Sequence, residues 1–266
     1  MRGLLAALVL LLPPAMAGAS EVAIRSEDGT LLRALHVAPA AGVPRRPAVV
    51  ALHGCSGLAR ADRPLRLPPR EAEWAGRLAA LGHAVLFPDS FGSRGLGPAC
   101  GRGDHPARPE GLRAGDARAA LAWAAAQPGE PAGGGILLGW SHGASTVLWT
   151  LAAPPAAGLL RAAIALYPGC GALLREAEGW AAPVPLLMLL AGADDWTPAH
   201  RCEALAARAP QRVELRVFPD ARHGFDHPSA PLRSRLLPDG RQVTTGTDRA
   251  AREGAIAAVL SFLAAR

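Results

Sequence analysis

Lysine is absent from this 266-residue sequence, so all 28 of its basic side chains (histidine apart) are arginines. From Arg25 to Arg266 they form no cluster of five or six, and the formal net charge of +6 describes a solvated surface with no footprint for a polyanion. Nucleic acid is not expected as a partner. No stretch reaches the roughly 20 consecutive apolar residues that a membrane-crossing helix needs, so no membrane association is expected after processing. The four cysteines, Cys55, Cys100, Cys170 and Cys202, include no close pair with zinc-finger spacing, and the histidines form no H-E-x-x-H pattern. Neither a metal nor a cofactor is expected. No internal repeat and no linker divides the chain, and with 50% of its residues hydrophobic it has material for one large domain.

The beginning of the chain has the three-part layout of a secretory signal peptide: Arg2, an apolar run over 4–12, then Pro13, Pro14 and small residues. Residues 1–19 are expected to be a leader, cleaved after Ala17 or after Ala19, with 20–266 as the functional domain. A secreted or periplasmic location follows. Export would place the cysteines where disulfides persist, and four cysteines suit two bridges in any of three connectivities.

The mature start predicts a hairpin, 21–26 and 30–38, turning at Asp28 and Gly29. Short apolar runs follow at 48–52, 84–87, 135–138, 162–166, 185–190 and 213–218. They alternate with alanine-rich helical segments at 71–81, 113–127, 143–153, 199–208 and 248–264. Alternation of this kind predicts an α/β protein with a mostly parallel, doubly wound sheet, preceded by the antiparallel hairpin. Two long Gly, Pro and Arg-rich connections, 90–111 and 224–246, are the candidate pocket walls.

Gly139, Trp140, Ser141, His142 and Gly143 form a G-x-S-x-G pattern directly after an apolar strand and before a helical segment. A serine there sits on a strained strand-to-helix turn above the positive end of a helix, which suits a nucleophile. It needs a base, and the base needs an orienting acid. His223 follows the last strand and precedes Gly224. Asp194 and Asp195 follow the strand before it. One aspartate should face the histidine while the other caps the helix starting near Pro198. The developing oxyanion needs two donors, assigned to the backbone N–H of His142 and, in the turn His53, Gly54, Cys55, Ser56, Gly57, to that of Cys55. Trp196 adjoins the acid loop and is the candidate apolar wall for a small-molecule ester.

These residues together resemble the dienelactone hydrolase family, a branch of the α/β-hydrolases, through 53–58, 88–95, 139–143, 192–198 and 221–226. The resemblance implies the α/β-hydrolase fold and a Ser141, His223, Asp194 triad. It selects Asp194 because the family's loop runs aspartate, three residues, proline, here ending at Pro198, and it matches His223 through a His-Gly-Phe run. The family's name-giving enzyme uses a cysteine nucleophile, and serine in its place points to general carboxylic esters or lactones. That enzyme also grips an anionic substrate with an arginine near the fourth strand, which nominates Arg94 as a substrate-binding residue; bracing the loop is its competing role. With loops placed after neighbouring strands, the bridges are expected as Cys55 with Cys100 and Cys170 with Cys202. An acyltransferase or peptidase would use the same triad. A binding protein would gain nothing from an aligned base.

Overall fold

Each interior strand divides its side chains between two cores, which is why the runs read as continuously apolar. In the computed structural model, which describes residues 18–58 and 63–266, the chain folds as β1 (Ala19–Arg25), β2 (Leu31–Val37), β3 (Arg46–Leu52), α1 (Pro69–Ala80), β4 (His83–Pro88), α2 (Leu112–Ala125), β5 (Gly135–Trp140) and α3 (His142–Ala152). There follow β6 (Leu160–Leu166), α4 (Gly171–Glu176), β7 (Leu186–Ala191), α5 (Ala199–Ala206), β8 (Val213–Phe218), β9 (Arg233–Leu236), β10 (Gln242–Thr245) and α6 (Arg249–Ala264). The expected leader lies, up to residue 17, outside the described residues.

Eight strands form one sheet in the order β1-β2-β4-β3-β5-β6-β7-β8. β2 is antiparallel to both neighbours, and every pairing from β4 to β8 is parallel. Val50, Leu137, Ala163 and Met188 pack on one face against Leu121 of α2, Val147 of α3 and Leu205 of α5. Their neighbours Val49, Ile136, Ile164 and Leu187 pack on the other face against Trp74 of α1 and Val259 of α6. Buried on both faces, these strands have no use for polar alternation. Pro69 opens α1 at a position where its missing N–H costs nothing, and Asp248 caps α6 by accepting from Ala251 N at 2.9 Å. No helix among the described residues is long and apolar enough to cross a membrane.

The connections from β3 and from β4 run to opposite faces, through α1 and α2. The strand order therefore reverses between β3 and β5, and the carboxyl ends of these adjacent strands open a crevice. Two elements depart from the sequence expectation. α4 is six residues long, too short to show a helical period. The 224–246 connection contains the β9–β10 hairpin, whose β9 residues are all exposed and carry no apolar alternation. Only the Pro238, Asp239, Gly240 turn signals it.

Candidate active site

Ser141 follows β5 directly with φ 54°, in the left-handed region that a non-glycine residue enters only under constraint. Two close approaches impose it. A Cβ on Gly139 would lie 2.4 Å from Gly143 O, and one on Gly143 would lie 2.0 Å from Leu52 O. Both positions therefore require glycine, and the hydroxyl is held above the N-terminus of α3.

Ser141 Oγ donates to His223 Nε2 at 2.8 Å, and His223 Nδ1–H donates to Asp194 Oδ2 at 2.7 Å. The three side chains come from the ends of β5, β7 and β8. The His223 ring lies between Tyr167 and Trp196, each 4.8 Å away centre to centre. Asp194 Oδ1 accepts from the amides of Trp196 (2.8 Å) and Thr197 (2.9 Å), and Thr197 Oγ1 donates to Oδ2 at 2.8 Å. Burial alone raises the carboxyl's pKa, but the His223 and Thr197 hydrogen bonds outweigh it and the net shift is downward. Asp194 stays ionised, so the imidazole proton resides on Nδ1 and Nε2 is free to accept. In this arrangement an imidazole can take a proton from a hydroxyl.

Cys55, Ser141 and His142 border a small recess of about 120 Å³, and the turn lies in van der Waals contact with the serine, a Cβ on Gly54 falling 3.9 Å from Ser141 Cβ. Cys55 is bridged to Cys100 and Cys170 to Cys202. The first bridge, with Ala99 N donating to Cys55 O at 2.8 Å, ties this turn to the 90–111 connection. Next to it a larger recess of about 270 Å³ is lined by Ser141, His223, Cys55, Arg70, Trp196 and Arg235, among others. The Arg235 guanidinium lies 4.5 Å from the Trp196 ring centre.

Arg94 does not line either recess, which corrects the substrate-binding expectation. Its guanidinium is held by Asp116 (2.7 Å) and Asp28 (2.9 Å) and donates to Ser90 O at 2.9 Å, so it braces the loop. Asp195 is likewise no helix cap. It accepts from Thr244 N at 2.9 Å and pairs with Arg222, anchoring the hairpin, while α5 starts at Pro198 without a side-chain cap.

Several site residues were not singled out from sequence. Buried Asp226 accepts from Trp74 Nε1 (3.0 Å), Trp140 Nε1 (2.9 Å) and the Tyr167 hydroxyl (2.5 Å), fixing the chain three residues beyond His223. Burial holds the Tyr167 phenol protonated, and Arg70 donates to its oxygen at 3.0 Å. Tyr167 is the only tyrosine in the chain, and Asp226 falls in the family-like 221–226 stretch. Those were the signals available.

Burial and the nearby Arg113 charge hold the His53 ring well below the usual imidazole value, and the same causes pull His142 down to about 2. Both rings stay neutral in the folded chain where the unfolded chain protonates them. The stability they confer is complete above the unfolded pKa of about 6.5 and is lost as pH falls below it. Two such rings give a slope of about 2.7 kcal/mol per pH unit below roughly pH 6. Stability from urea unfolding should fall as pH drops below about 6, and His142→Gln should remove about 1.4 kcal/mol per pH unit of that fall; a flat wild-type profile contradicts neutral rings.

The sheet order, the strained serine turn and the delivery of His223 and Asp194 from later strand ends define the α/β-hydrolase fold. The chain belongs to the dienelactone hydrolase family, whose sequence profile matches residues 32–266. No curated protein matches it significantly. Among solved structures it is similar to m3DLH, with TM-score 0.68, 22% identity, and 93% of this chain and 98% of that one covered. A dienelactone hydrolase-like promiscuous phosphotriesterase from metagenomic libraries gives TM-score 0.66 and 18% identity over 93% and 98% of the two chains. Esterase 2 of Thermogutta terrifontis, phosphoramylated by tabun, gives 0.60 and 21% over 94% and 97%. At these identities the structural likeness speaks for the fold.

Proposed function

We propose that the protein is an exported serine hydrolase that cleaves small carboxylic esters or lactones through an acyl-enzyme. The observation that carries this reading is the unbroken relay from Ser141 Oγ through His223 to Asp194, at 2.8 and 2.7 Å, opening on a recess. His223 Nε2 takes the serine proton as Oγ bonds to the carbonyl carbon. The carbonyl oxygen becomes an oxyanion held by the amides of His142 and Cys55. As the tetrahedral species collapses, the C–O bond to the leaving group breaks and His223 returns the proton to the departing alkoxide. Water then repeats the sequence and releases the carboxylic acid. Trp196 forms the apolar wall. The leader-like start and two disulfides support export to an oxidising compartment.

Turnover of chromogenic esters and lactones, with the carboxylic acid product quantified, tests the proposal; no acid release above the uncatalysed rate from any of them would end it. A recess of about 270 Å³ lies at the small end for ligand pockets. Acetyl and butyryl esters should react at similar rates, while kcat/KM for a decanoyl ester should be lower by about tenfold or more, because overfilling a packed site costs about 1 to 3 kcal/mol. A preference for decanoyl would contradict the small pocket.

A further inference from the structure

Arg113, in the first turn of α2, is 1% exposed, and no carboxylate lies within ion-pairing distance among the described residues. Asp116 and Asp89 act on its charge only from beyond contact. Asp116 holds Arg94 and Ser26, and Asp89 accepts from the amides of Phe91 and Gly92 through Oδ1 alone, its Oδ2 being buried without a hydrogen-bond partner among the described residues. Burying an unpaired guanidinium is costly, so its actual partners matter. NH1 donates to His142 Nδ1 at 2.5 Å, NH2 donates to His53 O at 2.8 Å, and the plane lies 5.1 Å from the Phe91 ring centre. Burial pulls the group down to about 9, so it remains charged at neutral pH.

Those two acceptors belong to the two segments that supply the oxyanion donors. His142 contributes its own amide. His53 reaches Cys55 through one peptide unit: its Nδ1–H donates to Gly54 O at 2.8 Å while its Nε2 accepts from Ser90 N at 3.3 Å. The carbonyl of Gly54 and the N–H of Cys55 are the two ends of one planar trans peptide and point in opposite directions. Holding the oxygen towards His53 therefore fixes the direction of the Cys55 N–H, and the bond polarises that peptide so that its N–H donates more strongly.

We propose that Arg113 is a positioning residue for oxyanion stabilisation: it clamps the His53 turn and the His142 ring into one unit and sets a buried positive charge behind both amides. The inference rests on the serine-hydrolase reading. Charge fixed in a dry, preorganised site acts on the transition state far more than on the bound ester.

The test compares wild type, Arg113→Met and Arg113→Lys on one short-chain ester, and measures inhibition by an alkyl boronic acid, whose serine adduct is tetrahedral and anionic. In Arg113→Met, kcat should fall by about 100-fold with KM within about threefold, and boronate affinity should fall in parallel with kcat. Arg113→Lys keeps the charge but reaches only one acceptor, and should recover about tenfold of the loss. If Arg113→Met does not fold, His142→Leu breaks one arm of the clamp and should lower kcat and boronate affinity together by about tenfold. A folded Arg113→Met with wild-type kcat and boronate affinity, or with a raised KM alone, would overturn the Arg113 role by itself; so would an unaltered His142→Leu. A wild-type protein that turns over no ester or lactone would overturn the hydrolase reading along with it.

Discussion

Replacing Ser141 with alanine should lower kcat on a short-chain ester by about four to six orders of magnitude while leaving the folded state intact, because relay members act as a unit and only the oxyanion donors and binding contacts remain. Alanine removes the one oxygen that His223 Nε2 addresses at 2.8 Å. Relief of nothing else is involved, since the strained φ of 54° is set by Gly139 and Gly143 packing and persists in the variant. Steady-state rates on protein purified free of host esterase check this. A residual rate within tenfold of wild type would mean that another group attacks the carbonyl.

The second large effect distinguishes the adjacent aspartates. Asp194→Asn should lower kcat by about three to four orders of magnitude through the tautomer it enforces. The amides of Trp196 and Thr197 both donate to Oδ1, so an asparagine there turns its oxygen towards them and its NH2 towards His223. An NH2 facing Nδ1 requires that nitrogen to accept. The ring proton then moves to Nε2, which can no longer take the serine proton. Asp195→Asn should change kcat by less than about threefold, since its bond to Thr244 N suits an amide oxygen and its pair with Arg222 is solvent-exposed. Equal losses in the two variants would show that the hairpin anchor, and not the tautomer, governs the rate.

What could be read from the sequence was whatever depends on local order. Leu137 and Leu138 go to opposite cores, so β5 had to be apolar throughout and the strand was legible. The same holds for the serine turn, whose glycines are dictated by backbone contacts within a few residues of chain and by β3 beside it. Strand order fixes the sequence in which acid and histidine arrive but leaves Asp194 and Asp195 equivalent, and only the family resemblance, through Pro198, singled out Asp194. Arg94 was misplaced because its destination is set by Asp28 and Asp116, which converge from 66 and 22 residues away. Arg113, Tyr167 and Asp226 carry no local pattern: their roles arise from partners 29 to 152 residues distant. The β9–β10 hairpin, with β9 wholly exposed and only Val243 of β10 buried, shows no apolar alternation and left only its turn in the sequence.

Treatment with a fluorophosphonate, followed by intact-mass measurement and peptide mapping, tests the central claim most directly. The account predicts one adduct per chain, carried by the peptide containing Ser141, and none on the Ser141→Ala protein. An unmodified chain that still hydrolyses esters, or an adduct that persists when Ser141 is alanine, would contradict it.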